Sequence, residues 1–219
     1  MEFSRDLIAK CSGQFNAKVC QTLGEAISSR DPVALVQGDL NNLETPEATR
    51  GQIDVAVLSW VACNLQYPDG IQHCFNSIYR LLNGNGLLAM ADLDIAVAPR
   101  IHQKYLQLKQ RDPGVRINRR VGCFIASNGE LIPMIDYDDP IDLALLTSLI
   151  VQSVMGIVKE SLLHQPEALP SAVMTAARML RGLKSYIGSE EAARMLNIAG
   201  FSSGGIEIIS PEAIRMRRP

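Results

Sequence analysis

Three histidines, His73, His102 and His164, are the side chains best suited to move a proton near neutral pH. His73 falls inside an amphipathic stretch and reads as solvent-facing. His164 closes a long apolar stretch, where an imidazolium would favour a helix C-terminus. His102 stands one helical turn before Tyr105 and is the candidate general base. The five cysteines, Cys11, Cys20, Cys63, Cys74 and Cys123, form no C-x-x-C pair and no metal-ligand spacing. No metal site is expected, and an odd number of thiols fits a reduced, cytoplasmic setting. The basic residues gather in two small clusters, Arg116, Arg119 and Arg120, and Arg215, Arg217 and Arg218. Each reads as a solvated face or tail rather than a phosphate-reading surface.

The elements that must position these groups belong to an ordinary globular chain. Of its 219 residues, 47% are apolar and 20% charged, and the formal charge is −2. That balance gives no electrostatic pull toward nucleic acid or anionic lipid. The first residues, with Glu2 and Asp6, hold no uninterrupted apolar run and do not read as a signal peptide. The most apolar segment, 141–158, is broken by Asp142, Thr147, Ser148, Gln152 and Ser153, so a buried helix is expected rather than a membrane span.

Along the chain, residues 5–29 are mostly helix-compatible, with Ser4 as N-cap and Gly13 and Gly24 as weak points. Residues 33–36 read as a short buried strand ending at Gly38-Asp39, and 53–59 as a second strand. The polar stretch 41–52 between them reads as a loop. Ile71, Cys74, Phe75, Ile78, Leu81 and Leu82 recur at helical spacing, and Gly84-Asn85-Gly86 stops that helix. Residues 87–91 form a third strand closed by Asp92. Strand, helix, strand at this pitch is a βαβ unit, which predicts parallel strands at 33–36, 53–58 and 87–91 in one sheet. Farther on, 101–110 reads as helix and 121–135 as a hairpin with Asn128-Gly129 at its turn. Helices are expected at 141–164 and 170–183, then a short one from Ser189 to Ile198, and a strand at 206–209.

Four segments in order carry a family resemblance: Q-G-D-L-N-N-L (37–43), I-D-V-A-V-L-S-W-V-A-C-N-L (53–65), I-Y-R-L-L-N-G-N-G-L-L-A-M-A-D (78–92) and A-A-R-M-L-N-I-A-G-F (192–201). The set resembles the class I S-adenosylmethionine-dependent methyltransferases. The resemblance implies an α/β fold, a Rossmann-like methyltransferase sheet incomplete at its N-terminal side, with a mainly helical insertion or cap. Residues 1–94 would be a partial core, 95–186 the cap or interface insertion, and 187–219 the C-terminal part of the core.

The resemblance also assigns roles. Asp39 would accept from the adenine amino group, with the Leu40 backbone beside the ring. Ser59 and Trp60 would line the methionine half of S-adenosylmethionine or the substrate mouth. Asp54, at the other end of its strand, is structural. Two registers stay open upstream. In one, Glu2 ends the second strand and accepts the ribose hydroxyls. In the other, 3–15 is a helix and 17–21 the second strand, which then ends without an acid. In both, the first strand and its glycine-rich loop are missing, so the aminocarboxylate end of the cofactor lacks backbone donors. Two unpaired sheet edges would result, to be filled by another segment, a second polypeptide or a rearranged fold. The implied activity is small-molecule O- or C-methylation, with the cofactor site incomplete in this chain. The alternatives are an inactive methyltransferase-like subunit that stabilises a partner, and an enzyme of this fold doing other chemistry. A small-molecule substrate is expected, with homo-oligomerisation or a second polypeptide completing the sheet, and neither nucleic acid nor membrane as partner.

Overall fold

The β-branched and aliphatic run I-D-V-A-V-L-S does form a strand, β3 (Ile53–Ser59), and it pairs in parallel with β4 (Leu82–Ala91). The structure is a computed structural model describing residues 13, 17–29, 31–59, 61–119, 121–164, 185–210 and 213–217. The expected contacts of Glu2 and Trp60, the helix expected at 170–183, and the Ser4 cap lie outside those residues.

The remaining strands are β1 (Lys18–Cys20), β2 (Ala34–Val36), β5 (Arg116–Asn118), β6 (Cys123–Ile125), β7 (Leu131–Pro133), β8 (Ile206–Ser210) and β9 (Ala213–Arg217). The helices are α1 (Leu23–Ser28), α2 (Asp69–Leu81), α3 (Val97–Arg111), α4 (Pro140–His164) and α5 (Gly188–Ala199). The strands form three small sheets, β1-β2, β3-β4-β9-β8 and β5-β6-β7, in a mixed α/β arrangement. None of the helices among the described residues is long and apolar enough to cross a membrane.

The core follows from the spacing of α2. Ile71, Cys74, Phe75, Ile78 and Leu81 line one face, and each is at most 5% exposed. The first four pack on Leu58 of β3, on Leu82, Leu88 and Met90 of β4, and on Ala192, Met195 and Leu196 of α5. The opposite face of β3 is bare, with Val55 54% and Val57 68% exposed. Helix α5 ends where Gly200 takes φ 111° and Phe201 N–H donates to the Leu196 carbonyl at 3.1 Å. A Cβ at position 200 would stand 2.8 Å from the Tyr79 ring, so glycine is required there twice over.

Several expectations are corrected. Residues 34–36 do not join the sheet of β3 and β4. They pair in parallel with β1, whose position matches the second upstream register and interrupts the expected 5–29 helix. What anchors β2 to the core is its following loop: the Leu43 carbonyl accepts from Ser77 Oγ at 2.9 Å on α2. Strand β4 starts at Leu82, directly after α2, and absorbs the glycine turn as an irregularity between the Ile53 and Val55 pairings. The C-terminal arginine segment is not a tail, because its backbone forms β9, antiparallel to both β4 and β8. In the hairpin, Gly129 N–H donates to the Ala126 carbonyl at 2.9 Å, which puts Ser127 and Asn128 at the turn centre and Gly129, φ 87°, after it. Helix α5 is capped by the Asp94 carboxylate, which accepts from Ser189 N–H; Ser189 itself makes no cap.

The insertion is built on α3, β5–β7 and α4. Leu149 of α4 packs with Cys63, Leu93, Ile95, Val97 and Tyr186, so this helix covers the segments that leave the carboxyl ends of β3 and β4. Val115, Phe124 and Met134 form a smaller cluster under the hairpin sheet.

Candidate functional site

Loops that follow parallel strands converge at the strands' carboxyl ends, where open α/β sheets hold ligands. Here they are tied together by side chains. After β2, Asn41 Oδ1 accepts from Gln66 N–H in the loop after β3, at 2.7 Å. A Cβ on Gly70 would come within 2.2 Å of that same oxygen, so the join requires glycine. After β4, Asp92 Oδ2 accepts from Cys63 N–H at 3.0 Å. The linker returning from the insertion closes the surface, with Ser185 N–H donating to the Cys63 carbonyl at 2.8 Å.

Asp39 lies on this surface, exposed. Its Oδ1 accepts from Asn41 N–H at 2.9 Å and from Asn41 Nδ2 at 3.0 Å, and its Oδ2 from Asn42 Nδ2 at 2.9 Å. These bonds, the Asn41 backbone first, hold its carboxyl below the usual range. A carboxylate offers about four acceptor positions, so one on Oδ2 remains for a ligand donor. Leu40 is half-buried against the core, and Ser59 stands exposed at the end of β3, opposite Ala91.

His102 lies on α3 and lines a cleft between the core and the insertion with Tyr67, Arg119, Ser185, Ile101 and Met134. The cleft is narrow, its water-accessible core about 30 Å³. The imidazole meets the edge of Tyr67, with ring centroids 5.4 Å apart, and lies 6.4 Å from the Tyr105 ring. Tyr67 donates its hydroxyl proton to Glu191 Oε1 at 2.8 Å. Burial, that bond and the Glu191 charge push the phenol up to about 12. Glu191 is held low, first by Arg194, whose Nε and Nη2 reach its two oxygens at 2.7 Å each.

Two features had no signal in the sequence. Arg119, expected on a solvated face, sits at the cleft mouth. Tyr186 is 1% exposed, and its hydroxyl has no partner among the described residues. Burial, then the neighbouring Cys63 and Asp92, raises its pKa. Arg119 and Tyr186 are thus residues that the sequence did not single out, Arg119 in the cleft with His102 and Tyr186 packed with Cys63, Leu93 and Leu149. His73 is exposed, with Nε2 3.1 Å from the Leu43 carbonyl, away from the cleft. Among the described residues no cluster of His, Cys, Asp or Glu is placed to hold a metal ion.

No protein-family model matches the chain. No curated protein matches it either. Among solved structures it is similar to a possible exported protein from Bordetella parapertussis, at 14% identity over 85% of this chain, with a TM-score of 0.39. It is also similar to the PH0226 protein from Pyrococcus horikoshii OT3, at 10% identity over 93% of this chain and 70% of that one, with a TM-score of 0.38. The chain spans 44% of the Bordetella protein. Both likenesses are loose, and the class stated for this chain is the one its own strands define: a mixed α/β fold with small sheets.

Proposed function

We propose that this chain is the larger part of a Rossmann-like, S-adenosylmethionine-dependent methyltransferase acting on a small molecule, with a cofactor site completed by a further polypeptide segment. The observation that carries the reading is the single surface made by the loops after β2, β3 and β4, with Asp39, Leu40 and Ser59 on it and the His102 cleft beside it. Asp39 keeps one acceptor position for an adenine amino group. Trp60 keeps its assigned role at the methionine half or the substrate mouth, whereas the ribose role of Glu2 belonged to the register that β1 displaces and is dropped. When bound, S-adenosylmethionine supplies an electrophilic methyl group. The chain's own part is to hold the adenine, exclude water under α4, and place His102 to take a proton from the acceptor.

The aminocarboxylate end of the cofactor finds no glycine-rich donor turn among the described residues. Charge-assisted hydrogen bonds contribute roughly 1.5–3 kcal/mol each, so two missing ones weaken binding by roughly 3–6 kcal/mol. That is about two to four decades in Kd at about 1.4 kcal/mol per decade. The completing segment would pair with β3, which lies at the edge of its sheet among the described residues, and cover the exposed Val55 and Val57.

Calorimetry with S-adenosylmethionine tests this. The chain alone should bind weakly or not at all. With the completing polypeptide it should bind, and Asp39→Ala should abolish that affinity. Micromolar binding by the chain alone would sink the shared-site reading. The incomplete donor set favours one second reading, an inactive methyltransferase-like subunit that positions a partner. Failure to bind even with the partner present would select it.

A further inference from the structure

The cleft beside His102 contains an arginine whose charge is not spent. Arg50, Arg100 and Arg194 each pair with carboxylates, Glu47, Asp139 with Asp142, and Glu191 respectively. Arg119 makes no ion pair among the described residues, and its Nη1 only reaches Ser185 Oγ at 3.4 Å. A guanidinium has five donors in a planar fork, so four of them stay available at the cleft mouth. Glu191, the acid bonded to the cleft residue Tyr67, is already engaged by both arms of Arg194. No carboxylate lines the cleft itself among the described residues.

We propose that this cleft binds a carboxylate of the small-molecule acceptor, with Arg119 as its anchor and Ser185 and His102 flanking it. The proposal rests on reading the cleft as the acceptor site. The cleft is narrow, its water-accessible core about 30 Å³, which suits a small anionic group. A planar carboxylate matches the guanidinium fork, which takes it through two parallel bonds. The apolar walls, Ile101 and Met134, suit the hydrocarbon next to such a group. Arg119 then fixes the orientation of the acceptor, and His102 stands where it can take a proton from another atom of the same molecule.

Ring resonances of the three histidines in the folded chain provide the readout, with His102 assigned through His102→Gln. Sodium propionate, titrated at constant pH and ionic strength, should shift the His102 signals saturably, and propionamide, its neutral isostere, should not. Arg119→Gln should raise the propionate Kd at least tenfold, and Arg119→Lys should fall between. The arginine is exposed, so these variants should keep the circular dichroism of the parent chain. Equal shifts from propionate and propionamide, no saturable shift at all, or propionate binding unchanged in Arg119→Gln would each overturn the proposal. Tighter binding of inorganic phosphate than of propionate would overturn the carboxylate assignment. No methyl donor enters this experiment, so its outcome is separate from that of the S-adenosylmethionine titration.

Discussion

The core around α2 and the insertion around α3 and α4 are held by different forces. Phe75, Ile71 and Cys74 are 0% exposed and lie in one apolar cluster with residues of β3, β4 and α5. In the insertion the corresponding place is taken by a charge, because Asp142, also 0% exposed, is the residue that joins α3 to α4. Its carboxylate accepts from Arg100 Nε at 3.1 Å, from Lys104 Nζ at 2.7 Å and from Asp136 N–H at 2.8 Å, and Arg100 also reaches Asp139 at 2.7 Å. Apolar burial tolerates variation in shape and is indifferent to pH. A buried ion network fixes one geometry, and it fails when either partner is lost. The half of the molecule that lines the cleft is thus the half whose placement is specified by charge.

The sharpest way to break this comparison is to damage each side in turn. Phe75→Ala should cost about 4 kcal/mol through lost burial and the cavity left behind, and should lower the protection of the whole chain in hydrogen exchange. Asp142→Ala should cost about 3 kcal/mol by leaving Arg100 and Lys104 without a counter-charge, with protection lost from α3 and α4 first. Equal global loss in both variants would mean that core and insertion unfold as one unit.

Acid sharpens the contrast without a mutation. Burial pushes Asp142 upward, but the bonds from Lys104, Asp136 and Arg100 outweigh it and hold the carboxyl below its ordinary 3.8. A depressed carboxyl contributes stability that is complete above the ordinary value and is lost as pH falls through the depressed one. Exchange protection in α3 and α4 should therefore drop below about pH 4, while α2 keeps its protection longer. Asp142→Asn should flatten that response. The smallest effect belongs to the seam between the regions. Tyr186→Phe removes a buried hydroxyl that has no partner among the described residues, so it should be neutral or stabilising by up to about 1 kcal/mol in a thermal melt at neutral pH. A clear loss of stability would mean that the hydroxyl is bonded in the folded chain.

The core was legible because its signals are local. The helical recurrence from Ile71 to Leu81 and the β-branched run of β3 each report on residues a few positions apart. Strand β1 was legible only as one of two open registers, since Lys18, Val19 and Cys20 are too few to display an alternation that would decide between them. Strand β9 was hidden by arginines at every second position, which suit a solvated tail as well as a strand. Asp142 read only as an interruption of an apolar run, because the residues that make it stable, Arg100 and Lys104, lie about forty positions upstream. Arg119 is the same case at the cleft. Its neighbour Ser185 is 66 positions away, and spacing along the chain cannot report a contact made by folding.

The insertion leaves and re-enters the core through a narrow neck. Asp94 caps α5 from 95 residues away, and Ala98 N–H donates to the Tyr186 carbonyl at 2.8 Å. In polymer terms this is a long loop whose ends are already fastened. Closing a loop costs free energy only with the logarithm of its length, so replacing the excursion with a linker about a ninth as long would recover about 2 kcal/mol of chain entropy. Evolution and the protein engineer face the same arithmetic at this neck. What hangs from it can be lengthened, exchanged or trimmed at little entropic cost, provided the apolar segments at Leu93 and Ile95 stay covered.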